Sequence, residues 1–130
     1  MADMMTFELV SPEKKLASAE AEAITIPGME GDLTAMASHA PFLTTLRPGF
    51  VVVRNGSDEE RFFVTGGFAE ISDDTVSVLA ELAVEGDKAD AGFLDTQIAA
   101  AEKALAEAGD DRQQAAQQRL NDFLTLKEQA

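Results

Sequence analysis

The stretch spanning residues 28–49 (GMEGDLTAMASHAPFLTTLRPG) constrains the fold more than any other part of the chain. Its glycines, Gly28, Gly31 and Gly49, tolerate positive φ angles that strain other residues. Pro41 and Pro48 each remove an amide donor and keep the preceding residue out of the helical region. This pattern suits neither a long helix nor a regular strand. We therefore predict a compact crossing between strands at one edge of a β domain.

Composition limits the classes of protein to consider. The chain has 130 residues, 45% of them hydrophobic and 26% charged, which is enough for one ordinary core or for a small core with an appendage. It has no cysteine, which excludes disulfides, thiolate metal sites and thiol catalysis. No apolar run approaches the roughly 18 residues of a membrane-spanning helix. No secretory-signal pattern is seen, and we expect an intracellular soluble protein.

The formal net charge of −14 argues against two kinds of partner. An acidic surface repels the phosphate backbone of nucleic acids and the anionic headgroups of membranes. The carboxylates are scattered apart from short pairs such as Asp73 and Asp74, and no calcium-loop spacing is present. We expect no metal site, no nucleic-acid partner and no direct insertion into a membrane.

Short β-type segments with frequent turn signals fill the first two thirds of the chain. The pattern predicts strands over residues 6–10, 16–26, 33–35, 44–46, 50–54, 61–65, 68–71 and 75–80. Residues 55–58 are typical of a hairpin turn, and Gly66 and Gly67 of a tight turn or bulge. We predict an N-terminal antiparallel β-sandwich of about residues 1–85.

The pattern changes at about residue 85, where apolar residues begin to recur at helical spacing. Asp87 or Asp90 is expected to cap a first helix, and Gly109 to end it in the left-handed conformation. A second helix is predicted from about residue 111. The fold class is thus predicted to be α+β, with the sandwich followed by a C-terminal antiparallel two-helix hairpin of about residues 88–130. Its apolar stripes are mostly alanine, which predicts a weakly held, mobile element.

Several short motifs in this order resemble one known family, the epsilon subunit of F-type ATP synthase. The motifs are Gly28-x-x-Gly31-Asp32, His39-Ala40-Pro41-Phe42-Leu43-Thr44, Leu46-x-Pro48-Gly49, Thr65-Gly66-Gly67-Phe68-x-Glu70-Ile71 and Thr75-Val76-x-Val78-Leu79-Ala80. The resemblance covers essentially the whole chain and rests on the order and spacing of these pieces. It implies the same sandwich and hairpin that the residue pattern predicts.

The resemblance implies a non-catalytic rotor part of the central stalk. Epsilon subunits sit on the foot of the gamma shaft and touch the ring of membrane c subunits, while ATP chemistry takes place on the beta subunits. The implied location is peripheral, at the cytoplasmic face of the bacterial inner membrane. No cofactor is expected, and the hairpin is a possible contact for the alpha and beta subunits.

Three residues fall where the family faces the polar loops of the c ring: Ser11, Asp32 and His39. A carboxylate at Asp32 is suited to basic or amide groups on those loops, although one exposed pair contributes only about 0–1 kcal/mol. For His39, a hydrogen bond within its own loop is as good an account as ring contact, and no nucleophile motif supports catalysis. The sequence departs from the family pattern here, with Thr34 for a frequent glycine and Ala37 for a frequent proline.

Aromatic residues of the sandwich are candidates for the gamma interface, with Phe42, Phe62 and Phe68 as the predicted contacts. Phe62 and Phe63 are adjacent and must face opposite sides of a regular strand. One side is expected to fill the core and the other to meet gamma. The alternative is a second small core beneath a docked hairpin.

The hairpin departs further from its relatives. Phe93 stands where many bacterial relatives carry an arginine that helps to bind ATP, and a phosphate site without its cation is poor. The charges of residues 111–130 also balance, whereas inhibitory relatives have a basic second helix. We predict weak or absent ATP binding and at most weak inhibition of ATP hydrolysis.

Two other functions remain open from the residues alone. An acidic adaptor module that binds another protein is the first, and a small-ligand-binding enzyme with a β-sandwich core is the second. Copurification with a gamma-type coiled coil favours the rotor function, and turnover by the isolated chain favours the enzyme.

Overall fold

A computed structural model describes residues 4–12, 14–36 and 40–129, which form two compact units. The first unit ends at Gly86 and the second begins at Asp87. Within the described residues the first unit contains ten strands: β1 (Met5–Ser11), β2 (Lys14–Ala21), β3 (Ala23–Gly28), β4 (Gly31–Met36), β5 (Phe42–Leu46), β6 (Gly49–Asn55), β7 (Asp58–Val64), β8 (Gly67–Ile71), β9 (Thr75–Ala80) and β10 (Ala83–Glu85). A short 3₁₀ turn (Gly86–Lys88) is followed by helices α1 (Ala91–Glu107) and α2 (Gln113–Gln129). The predicted α+β fold class is confirmed.

The strands form one continuous sheet in the order β10-β7-β6-β3-β5-β8-β9-β1-β2, with β4 paired to β3. The pairs are antiparallel except that β1 lies parallel to β9. The segment predicted as one strand over residues 16–26 is divided at Glu22, whose N–H donates to the Arg54 carbonyl at 2.8 Å. β2 and β3 are therefore separate strands that pair with different neighbours.

The sheet folds over on itself to make the sandwich. The rings of Phe7 on β1 and Phe62 on β7 stack with their centroids 6.1 Å apart. These strands are six positions apart in the sheet, so a flat sheet would separate them by about 29 Å. The core between the layers is aliphatic and aromatic, as alternation along each strand requires. Its large members include Met5, Phe7, Leu9, Ile24, Ile26, Val51, Phe62, Val64, Ile71, Val76 and Val78.

β3 connects the two layers because it is shared between them. One of its edges pairs with β4 along the whole strand. On its other edge Ala23–Thr25 pair with β6, and Gly28 pairs with Leu46 of β5. The hydrogen-bonded sheet thus passes from one layer to the other at the Gly28 end of β3, at the start of the crossing predicted from the sequence.

The residue pairs between neighbouring strands place the loops at two opposite ends of the sandwich. The Gly31 end contains the turn between β3 and β4, Arg47 and Pro48 between β5 and β6, and Ser11 at the end of β1. The Gly56 end contains the hairpin between β6 and β7, the turn between β8 and β9, and the residues where β4 ends and β5 begins.

The second unit is an antiparallel helix pair. Asp90 caps α1, because its side chain accepts a hydrogen bond from the Phe93 N–H at 2.9 Å. Lys127, near the end of α2, pairs with Asp95, near the start of α1, as antiparallel packing requires. The buried apolar side chains of the two helices are few: Leu94, Ala101, Leu120 and Phe123.

The left-handed cap predicted at Gly109 is wrong. The helix ends at Ala108, which is extended with φ −73° and ψ 135°. Gly109 is not among the glycines at positive φ. The chain leaves α1 by straightening at Ala108, so it needs no left-handed residue. Instead, the Arg112 N–H donates to the Gly109 carbonyl at 2.9 Å in the connection to α2.

Candidate interaction surfaces

The three glycines of the crossing are required for two different reasons. Gly31 has φ 134° and open space around the position of a Cβ, so its backbone conformation requires glycine. Gly28 and Gly49 do not have positive φ, which corrects the reason given for them from the sequence. A Cβ on Gly28 would lie 2.9 Å from the Gly31 carbonyl oxygen, and one on Gly49 would lie 2.9 Å from Cβ of Pro27. These two positions exclude side chains for lack of space.

The Gly66-Gly67 pair forms a tight junction before β8. Both residues have positive φ, 147° and 133°. A Cβ on Gly67 would lie 2.1 Å from the Leu79 carbonyl oxygen, so conformation and space both require glycine there. This junction fixes the register in which β8 pairs with β9, since Gly67 lies opposite Ala80.

Two of the three residues predicted to face the c ring lie in the described part of the chain, and the fold places both at the same end of the sandwich. Asp32 is exposed on β4, one residue past the turn, and Ser11 is half-buried at the end of β1, so both lie at the Gly31 end. His39 lies outside the described residues. Met36 and Phe42, which flank its segment, lie at the Gly56 end.

The aromatic residues predicted to meet gamma differ in their exposure. Phe42 and Phe68 are exposed, at 47% and 43%. Phe62 points into the sandwich and stacks on Phe7, so its assignment to a partner surface is wrong. Phe63 faces the opposite side of β7, as alternation requires, and it is buried with its ring edge-to-face on Phe50 at 5.2 Å. The guanidinium of Arg61 lies 4.1 Å from the centre of the Phe50 ring.

An exposed apolar surface lies on the outer side of β5, β8, β9 and β1. Phe68 pairs directly with Leu79, which pairs in turn with Val10, and Leu43 is diagonal to Phe68 across β5 and β8. Phe68, Leu79 and Leu43 are exposed at 43%, 40% and 65%. We call these four residues the Phe68 face.

Sequence reasoning missed Leu43 and Leu79 as surface residues, although the signal was present. Val76, Val78 and Ala80 alternate inward along β9, which leaves Leu79 on the outer side. A search that looked only for aromatic residues passed over this leucine.

No cluster of metal-binding side chains is evident in the part of the chain that the structure describes. No three His, Cys, Asp or Glu side chains come together there as a metal site requires. Phe93, the residue from which we predict weak or absent ATP binding, is half-buried in the first turn of α1. In the same described part, no helix has the length and apolarity needed to cross a membrane.

Comparisons with known proteins agree with this architecture. The pattern of the ATP synthase delta/epsilon chain β-sandwich domain matches residues 4–86. The ATP synthase epsilon chain of Parvibaculum lavamentivorans is 45% identical over 129 residues, covering 98% of each chain. That of Cereibacter sphaeroides is 44% identical over 130 residues, covering 100% of this chain and 98% of its own.

Two solved structures share the fold at low sequence identity. One belongs to the Euglena gracilis mitochondrial ATP synthase, with a TM-score of 0.74 at 23% identity, covering 96% of this chain and 80% of the other. The other belongs to the central stalk and c-ring of the Tetrahymena thermophila mitochondrial ATP synthase, with a TM-score of 0.64 at 18% identity, covering 97% and 98%.

The described residues form a ten-stranded β-sandwich followed by a helix pair, and the class of protein is that of ATP synthase subunits, since epsilon chains match this chain along 98% of its length. The chain belongs to the family of ATP synthase epsilon chains.

Proposed function

We propose that this chain is a non-catalytic subunit of the ATP synthase central stalk, where it couples rotation of the c ring to the gamma shaft. The observation that carries the proposal is its full-length similarity to epsilon chains, at 45% identity over 98% of both chains. The structural neighbour from Tetrahymena thermophila is itself described as part of a central stalk and c-ring assembly. We further propose a peripheral location at the cytoplasmic face of the bacterial inner membrane.

The Gly31 end is the part of the sandwich that we assign to the c ring. It presents Asp32, an exposed carboxylate next to a turn of fixed shape, and Ser11 lies at the same end of the sandwich. A single exposed ion pair contributes only about 0–1 kcal/mol, so binding to the c ring depends on the shape of the turn and on several contacts together. Ring contact by His39 stays a prediction.

The Phe68 face is the surface that we assign to gamma. It replaces the predicted aromatic set, because Phe62 is buried in the core and an exposed leucine lies directly beside Phe68. A contiguous apolar surface on a chain of net charge −14 is costly to leave in water and is typical of a docking site. Phe42, at the Gly56 end, remains a proposed peripheral contact.

Binding of gamma to surface variants of the full chain tests this assignment. Phe68→Glu and Leu79→Glu are each expected to weaken binding about 30-fold or more, as the loss of a central apolar contact does. Met36→Glu is the matched control, because Met36 is also an exposed apolar residue but lies at the Gly56 end. Equal weakening by all three variants contradicts the assignment.

For the hairpin we propose little inhibitory activity and no functional ATP site. Phe93 supplies no positive charge for a phosphate. The full chain is expected to show no binding in a titration with ATP, while micromolar binding contradicts the proposal. In the assembled enzyme, deletion of residues 88–130 is expected to leave the rate of ATP hydrolysis nearly unchanged, and strong activation contradicts weak inhibition.

A further inference from the structure

The turn between β3 and β4 is supported by a distant part of the chain. This support is the corner between β5 and β6, residues 46–49. The Arg47 N–H donates to the Pro27 carbonyl at 2.9 Å, and Leu46 pairs with Gly28 at the base of the turn. The backbone of Gly49 lies directly against the Pro27 ring, where an added Cβ would be 2.9 Å from Cβ and 3.3 Å from Cγ of the proline.

The contact between Gly49 and Pro27 cannot be relieved by a side-chain rotation. Pro27 is buried, and its ring fixes its own φ angle, so a displaced ring takes the backbone with it. Pro27 lies opposite Asp32 in the β3–β4 ladder, and Gly28 lies opposite Gly31. A shift at Pro27 is therefore transmitted to the turn and to Asp32.

The turn has little freedom to absorb such a shift. A Cβ on Gly28 would already be 2.9 Å from the Gly31 carbonyl, so the two strands approach closely at this point. Gly31 has open space on its outer side, and that is the direction in which the turn is free to move. Displacement of Pro27 is expected to swing the turn outward.

We propose that the corner over residues 46–49 is a positioning element that sets the place of the Gly28–Gly31 turn and, through it, of Asp32. Gly49 acts through Pro27 and touches no partner itself. The consequence for ring contact rests on the proposed function, whereas the positioning within the sandwich does not.

The first test measures positioning in the isolated full chain, by NMR of the backbone amides of residues 28–32. Gly49→Ala is expected to shift these resonances, with much smaller changes in the rest of the sandwich. In a Pro27→Gly background, which removes both facing ring carbons, Gly49→Ala is expected to add little, since the two residues act through one contact. Gly56→Ala is the control, because Gly56 lies at the opposite end with no atom within 4 Å of an added Cβ.

Two results overturn the proposal: unchanged amides of residues 28–32 in Gly49→Ala, or an equally large Gly49→Ala effect with and without Pro27→Gly. If Gly49→Ala alone does not fold, the double variant decides. Recovery of folding in Pro27→Gly/Gly49→Ala supports the contact, and continued failure to fold overturns it.

The second test uses the assembled enzyme, with Asp32→Cys and a cysteine placed in the polar loop of the c subunit. Gly49→Ala is expected to lower crosslinking about tenfold, as displacement by an overpacked contact predicts, while gamma binding stays unchanged. Equal losses of crosslinking and gamma binding indicate general destabilisation and overturn the proposal. Absence of crosslinking in the parent Asp32→Cys enzyme contradicts the proposed ring contact instead, and the NMR comparison then decides positioning by itself.

Discussion

The two units of this chain differ in how much buried side chain supports each element of secondary structure. In the first unit each layer of the sandwich contributes large side chains, such as Phe7, Ile24 and Phe62, to one shared core. In the second unit, 34 helical residues bury four apolar side chains, and one of these is an alanine. Stability in proteins is distributed unevenly, and elements that move come from its low end. We infer that the sandwich is the more stable unit and that the helices open at a lower cost in free energy.

The largest expected effect is on the sandwich core, where Phe7→Ala should lower the free energy of unfolding by about 3–5 kcal/mol. The substitution leaves a cavity beside Phe62, which loses its stacking partner. Urea unfolding of the full chain measures this loss. Phe68→Ala, which truncates an exposed ring, is the control and should change the free energy by less than about 1 kcal/mol. Similar losses in the free energy of unfolding for the two variants would contradict the inference that the core makes the sandwich the more stable unit.

Gly67→Ala is expected to lower the free energy of unfolding somewhat less than Phe7→Ala does, by about 2–4 kcal/mol. The new methyl group meets the Leu79 carbonyl, and the backbone is strained. Gly56→Ala separates these causes. Its φ is 65° and no atom lies within 4 Å of the new Cβ, so only conformational strain of about 1–2 kcal/mol is expected. Thermal unfolding of both variants measures the difference. If the two substitutions lower stability equally, the lack of space for a side chain at Gly67 makes no contribution.

In the helix pair, Asp90→Ala should cost about 1 kcal/mol, because the Phe93 N–H loses its acceptor. Asp90→Asn preserves an acceptor and should stay close to the parent. Hydrogen exchange of the first-turn amides of α1 in the full chain measures local opening. Faster exchange throughout the sandwich would show that the two units unfold together, which contradicts a separate, lower stability of the helix pair.

The smallest effect is expected from Lys127→Ala, which removes the ion pair to Asp95 between the helices. Both side chains are about half exposed, so the loss should lie between about 0 and 1 kcal/mol and should shrink as salt is added. Lys103→Ala, at an exposed lysine with no ion pair among the described residues, is the control. Hydrogen exchange of the start of α1 at low and high salt measures it, and a loss that salt does not reduce contradicts an ionic origin.

Local signals predicted the order of the elements except for β10, which was missed, and for the break between β2 and β3, which were predicted as one strand. The pairing of the strands depends on non-local contacts that these signals do not contain. The alternation of Phe7 and Leu9 predicted β1, but no local pattern indicates that β1 lies parallel to β9. Asp90 was one of two predicted caps, and backbone geometry selects it. Gly109 was assigned from a statistical preference of helix ends, and the chain leaves the helix in an extended conformation.

The candidate surfaces were predicted less completely than the fold. Asp32 was predicted from its position in a family motif and Phe68 from the aromatic pattern, and both are exposed. Phe62 was assigned to the wrong side of the sheet. Adjacent phenylalanines on a strand must face opposite ways, but which of them faces inward depends on the register with β6 and β10. For Gly49 the requirement for glycine comes from Pro27, 22 positions earlier in the sequence. A contact between residues this far apart cannot be predicted from the local sequence around either one.

The parallel pairing of β1 with β9 has a consequence for synthesis on the ribosome. Thr6 lies beside Thr75, so β1 leaves the exit tunnel well before β9, and the edge of β1 that pairs with β9 stays open until then. Long-range pairing of this kind slows folding and leaves unpaired edges exposed in the nascent chain.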